Sequence, residues 1–128
     1  MKVLDILAEV DLKYPNDVEK AHILGWITTL EKQLLDEVLM THEITEDELK
    51  KAAAIYAMQS VTQDYEPLVQ PPYQEVYVHY LGMQIALVNV DNDQYENEQT
   101  LYNSALLTYK NWFNRTHRCK SKADKWRF

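Results

Sequence analysis

Leu68-Val69-Gln70-Pro71-Pro72-Tyr73 is followed by Val76, Tyr80, Met83, Leu87 and Val90. From Tyr73 the steps alternate three and four, the a/d pattern of a helix that packs along its length against other helices. The paired prolines place the start of that helix near Pro72, because proline is tolerated in a first turn and not deeper. A second stripe follows at Tyr95, Tyr102 and Tyr109, joined by Ala105 and Trp112. It predicts a helix over about Asp93 to Arg115, separated from the first by the polar turn Asn89 to Asp93. Two long aromatic-rich helices next to each other in sequence predict an antiparallel hairpin.

Working outward, Val3, Leu7 and Val10 form the face of a short first helix that ends before Tyr14-Pro15. Asn16 or Asp17 is the expected cap of a second helix, from about Val18 to Leu39, whose apolar face is Ile23, Ile27, Leu30, Leu34 and Val38. That helix is expected to be the centre of the core. Thr45 with Glu48 makes a capping box, and the alanine-rich run to Met58 favours helix. Because residues 41–66 are thin in large apolar side chains, they are expected to order only against a neighbour. The fold class is therefore all-α, a small bundle of four to five helices with the long C-terminal hairpin. Residues 1–118 form one domain and 119–128 a flexible basic tail.

Composition narrows the function. A chain of 128 residues supports a core without staples, and the single Cys119 excludes an internal disulfide. Only two glycines argue against barrels, sandwiches and phosphate-cradling loops. No secretory signal is legible from Met1 to Val10, and no apolar run approaches the roughly 18 residues of a membrane span, so a protein without membrane contact is expected. Nine tyrosines and three tryptophans exceed what a plain helical core calls for, and such side chains are enriched where a surface is apolar and wet at once. Residues 110–128 carry a balance of +6, which leaves −13 on residues 1–109 of the net −7. An acidic body repels nucleic acid, while a basic tail suits phosphate or an acidic protein groove.

No catalytic template is found. HExxH, a glycine-rich phosphate loop and a GxSxG elbow are all absent. Asp91-Asn92-Asp93 opens like a calcium loop but lacks its glycine and its terminal glutamate, so these residues read as a turn with Asp93 as helix cap. Glu75 and His79 stand one turn apart and read as a solvated helix face. No catalytic residue, cofactor or metal is expected, and the chain is expected not to be an enzyme.

Leu68-Val69-x-Pro71-Pro72-Tyr73-x-x-x-Tyr77-x-x-Tyr80, Asp93-x-Tyr95-x-Asn97, Tyr102-Asn103-x-Ala105 and Trp112-x-Asn114-Arg115-Thr116-His117 together resemble the head–tail connector, or adaptor, proteins of tailed bacteriophages. The resemblance covers roughly the second half of the chain by motif and the first by pattern. One departure is Ile85-Ala86-Leu87, where similar proteins often carry an acidic residue followed by an aromatic. The resemblance implies a structural virion protein, assembled in the host bacterial cytoplasm, at the neck between portal and tail. It implies a homo-oligomeric ring of roughly twelve subunits on the portal, with the portal protein and a stopper or tail-completion protein as partners. Genomic DNA passes through the channel without specific binding.

On that reading Tyr73, Tyr77, Tyr80, Tyr95, Tyr102, Tyr109 and Trp112 divide between hairpin core and subunit interface. Glu43, Glu46, Asp47 and Glu48 face the channel. Arg115, Arg118, Lys120, Lys122, Lys125, Trp126, Arg127 and Phe128 dock on the portal. The alternative is a small helical DNA-binding or regulatory phage protein that uses the basic tail on nucleic acid.

Overall fold

The computed structural model describes residues 1–119, and residues 120–128 lie outside that range. Among the described residues the chain is all-α. It forms α1 (Val3–Lys13), α2 (Lys20–Glu37), a 3-10 turn (Leu39–Thr41), α3 (Glu46–Ala57), α4 (Glu75–Val88) and α5 (Asn92–Thr116). The only strand-like pairing there is an isolated bridge between His42 and Cys119.

The central helix is α4, where the sequence points to α2. Val76, Tyr77, Val78, Leu81, Gly82, Met83, Ile85 and Ala86 are all buried, on every side of the helix. An element apolar all round is enclosed rather than amphipathic; α4 accordingly touches α1, α2 and α5. The three-four stripe read from the sequence describes only part of it, since Leu87 and Val90 of that stripe are exposed. The helix also starts at Glu75, later than the prolines suggest. Pro71 and Pro72 instead occupy a turn closed by the Tyr73 N–H to the Gln70 carbonyl at 3.0 Å.

Successively earlier residues of α4 meet successively later residues of α5. Gly82 faces Glu98, Tyr80 packs on Tyr102, and Tyr73, just ahead of α4, packs on Tyr109 and Trp112. A Cβ on Gly82 would lie 2.8 Å from Tyr14 Cζ and 2.9 Å from Glu98 Oε2. The carboxylate cannot simply swing away, because His79 Nδ1 holds it at 2.7 Å. Gly82→Ala is therefore expected to destabilise the fold by about 1–3 kcal/mol, measured by chemical denaturation.

α2 presents the predicted stripe to the core, with Ile23, Ile27, Leu30, Leu34 and Val38 all buried. Its cap is not the predicted one. The N-cap is Glu19 and makes no side-chain bond, while Asn16 folds back locally, accepting from the Val18 N–H at 3.1 Å and donating to the Tyr14 carbonyl at 2.8 Å. The Thr45–Glu48 capping box of α3 is present.

The segment expected to order only against a neighbour packs on its own chain. Ala52 and Ile55 of α3 are buried, and Tyr56 donates its hydroxyl to Asp36 of α2. The connection that follows supplies acceptors that the first turn of α1 lacks, Tyr65 O for the Val3 N–H at 2.9 Å and Gln63 O for the Leu4 N–H at 3.0 Å.

The turn from α4 to α5 ends in a residue that does not suit it. Val90 has φ 54°, in the left-handed region, while the Asp91 N–H reaches back to the Ala86 carbonyl at 2.9 Å. This is the helix-ending position where glycine or asparagine is usual and a β-branched side chain is strained. Val90 is also 80% exposed, so no packing offsets the strain. Val90→Asn is expected to raise stability by about 1 kcal/mol, read as a higher denaturation midpoint. After the turn Asp91, not Asp93, caps α5, accepting from the Gln94 N–H at 3.0 Å.

Candidate functional site

The side chains singled out by the sequence fall into an aromatic ladder, a clasp at the end of α5 and an acidic segment at the start of α3. The ladder runs along the α4–α5 seam. Tyr80 and Tyr102 lie 5.6 Å apart by ring centroids, and Tyr73, Tyr109, Trp112 and Phe113 continue it. Tyr109 is buried, whereas Tyr73, Tyr80, Tyr102 and Trp112 each keep an exposed edge. Burial pushes the Tyr102 phenol up to about 12, and raises Tyr80 and Tyr109 as well, so these hydroxyls stay neutral donors at any working pH. Tyr95 is half-buried and stands outside the ladder.

Tyr77 belongs to the interior. It is fully buried, and its hydroxyl donates to Glu31 while accepting the Val69 N–H at 2.9 Å. Glu31, itself 0% exposed, also accepts from the Tyr65 hydroxyl at 2.8 Å and the Leu68 N–H at 3.0 Å. One carboxylate thus ties α2 and α4 to the connection between α3 and α4. The sequence reading missed Glu31, although the signal was there: it stands four residues after Ile27 and three before Leu34, a charged position on a buried stripe.

His79 is not on a solvated face. Its Nε2 lies 3.3 Å from Glu75 and its Nδ1 2.7 Å from Glu98 on α5, a buried partner that sequence spacing could not reveal. Among the described residues no group of three or more His, Cys, Asp or Glu side chains is arranged to hold a metal.

The clasp closes the other end of α5. Buried His42 places Nδ1 2.6 Å from the Val38 carbonyl and Nε2 2.6 Å from Asn114 Oδ1. Phe113 meets His42 edge-on and stacks on His117 at 3.8 Å. His117 Nε2 in turn lies 2.9 Å from Glu48, and the Glu43 N–H donates to the Arg118 carbonyl at 2.7 Å. Residues 117–119 are thereby held against the start of the α3 segment, so Cys119, assigned by the sequence reading to the tail, is part of the clasp.

Comparison with protein-family models, curated proteins and solved structures finds no match to this chain.

Of the acidic segment, Glu43, Glu46 and Asp47 are exposed, whereas Glu48 is engaged by the capping box and His117. Arg115 is exposed on the last turn of α5. Lys120, Lys122, Lys125, Trp126, Arg127 and Phe128 lie outside the described residues.

Burial pushes the Glu48 carboxyl up, but the Thr45 N–H and His117 outweigh it and hold the group below the usual carboxylate range. A depressed carboxylate contributes stability that is present above its unfolded value and lost as pH falls through its folded value. Acidification through the lower carboxylate range is therefore expected to release residues 117–119 before the core melts. Amide exchange at Glu43 reads this; protection that persists until global unfolding would show that Glu48 does not hold the clasp.

Proposed function

We propose that the chain is a structural virion protein of the head–tail connector type, with subunits joined in a ring beneath the portal. The ring extends the DNA channel and offers a platform for the stopper or tail. The observation that carries this reading is the half-buried aromatic ladder of Tyr73, Tyr80, Tyr102 and Trp112 along the antiparallel α4–α5 hairpin. Large rings with one face packed and one edge in water are suited to contact with a second protein surface. The order and spacing of the Pro71-Pro72-Tyr73, Tyr102-Asn103 and Trp112 motifs support the same family.

Exposed Glu43, Glu46 and Asp47 are the candidate channel face. Carboxylates there repel phosphate and let DNA slide without sticking. In this reading the chain sits at the virion neck, and its partners are the portal, the stopper or tail-completion protein and further copies of itself.

Deleting the gene in the phage that encodes it tests the reading. Heads that package DNA but carry no tails are expected; tailed virions of normal infectivity would contradict it.

A further inference from the structure

His79 stands between carboxylates from two helices. Its Nδ1 lies 2.7 Å from Glu98 of α5, and its Nε2 lies 3.3 Å from Glu75, one turn earlier on α4. The imidazole is 16% exposed and the Glu98 side chain 8%, so this contact is shielded from water. An ionised carboxylate only accepts hydrogen bonds, and a neutral imidazole has a single N–H to donate. With both carboxylates ionised, both contacts are satisfied at once only when the ring carries two protons.

The pair belongs to a longer run of charge. Glu75 also lies 4.0 Å from Lys13 at the end of α1, and Lys13 lies 3.0 Å from Glu9. With His79 charged, Glu9, Lys13, Glu75, His79 and Glu98 alternate in sign across three helices. The Glu9 carboxylate outweighs burial and holds the Lys13 ammonium above its ordinary value, so Lys13 stays a cation. Burial, and then Glu98, push the Tyr14 phenol up, so Tyr14 stays neutral. Tyr73 lines an open cavity of about 280 Å³ beside His79, with Leu101, Ser104 and Thr108. Histidine is the one side chain of this cluster whose ordinary range of titration falls between about pH 5 and 8. When its second proton leaves, three carboxylates share one ammonium.

That proton departs from Nε2, because the Glu75 side chain is 40% exposed while Glu98 is enclosed. Glu98 then keeps a hydrogen bond from Nδ1, but its buried charge faces a neutral donor in place of a cation, which offsets it less well. The ladder begins at the same place. Tyr80 follows His79, Tyr102 stands one turn after Glu98, and their rings pack at 5.6 Å.

We infer that His79 is a pH-operated latch. As an imidazolium it pins Glu98, and with it the first half of α5, against α4 and the end of α1; on losing its second proton it lets the Tyr80–Tyr102 rung loosen. A histidine that gains carboxylate partners on folding contributes stability that is complete below its unfolded value of about 6.5 and lost as pH rises through its folded value. The rung's use as a subunit contact rests on the function proposed above; the latch itself does not.

Nitrogen-15 spectra of the full chain labelled at histidine, with amide exchange at residues 99–105, test this from about pH 5.5 to 8.5. His79 is expected to carry protons on both ring nitrogens at the acid end and on Nδ1 alone at the alkaline end. Protection at residues 99–105, corrected for intrinsic rates and taken relative to α2, is expected to fall about tenfold or more over the same interval. His79→Gln keeps a neutral donor and removes the titration. Its protection there should be flat with pH and match the parent at the alkaline end.

A singly protonated His79 at the acid end, or parent protection that does not change with pH, would overturn the inference. So would a fall that persists in His79→Gln, since the titration responsible would then be that of His22, His42 or His117. The first two readings use the parent chain alone and hold however the variant folds. No portal or assembly enters the measurement, so failure here leaves the connector reading standing, and failure of that reading leaves the latch standing.

Discussion

Glu31→Ala is expected to lower the free energy of unfolding by about 3–5 kcal/mol. The carboxylate accepts from Tyr77, Tyr65 and the Leu68 N–H. Removing it leaves three donors without their acceptor, and each buried unsatisfied donor costs about 1–3 kcal/mol. Tyr77 also satisfies the Val69 N–H, so the damage extends along the connection into α4. Glu31→Gln preserves the volume and one oxygen, and is expected to cost only about 1 kcal/mol.

The pH dependence separates the two variants further. Burial pushes the Glu31 carboxyl above its ordinary value, against the opposing hydrogen bonds from Tyr77, Leu68 and Tyr65. A group raised in the folded state contributes stability that is complete below its unfolded value and lost as pH rises through its folded value. Gln has nothing to ionise at this position. The stability gap between parent and Glu31→Gln should therefore narrow as pH rises out of the carboxylate range. A gap that widens would mean that the charged carboxylate is the favoured form in the fold.

Phe113→Ala is expected to cost about 3–5 kcal/mol as well. The ring is 2% exposed, stacks on His117 and meets the edge of His42, so its loss opens a cavity between the two histidines that hold the clasp. Protection of the Glu43 N–H, which bonds Arg118, should fall by more than global destabilisation explains. Trp112, one residue earlier, gives the contrast. It is half-buried against Tyr73 and Tyr109, and its truncation is expected to cost about 1–3 kcal/mol. A Trp112→Ala chain that folds but no longer assembles would place that side chain between subunits; one destabilised as much as Phe113→Ala would place it in the core.

The elements that depend on local chemistry were legible in the sequence. The stop at Tyr14-Pro15, the α2 stripe and the Thr45–Glu48 box are each set within a few residues, and each is found. What depended on the third dimension was not. A helix enclosed on all sides has no polar face to set its phase, so α4 read as a stripe and its exposed Leu87 and Val90 read as core. His79 read as solvated because its decisive partner, Glu98, comes from another helix. The ladder was half legible: seven-residue spacing identified Tyr102 and Tyr109, but Tyr95 on the same spacing, half-buried near the α4–α5 turn, falls outside it. Tyr77 reads like its neighbours in sequence and differs only in having Glu31 beneath it.

The measurement that bears most directly on the proposed function is the native mass of this chain before and after mixing with the portal encoded by the same genome. The account predicts a stoichiometric ring on the portal, abolished in an assembly-defective but folded ladder variant. No association with the portal, together with salt-sensitive binding to DNA in the same buffers, would contradict it and transfer the function to nucleic acid.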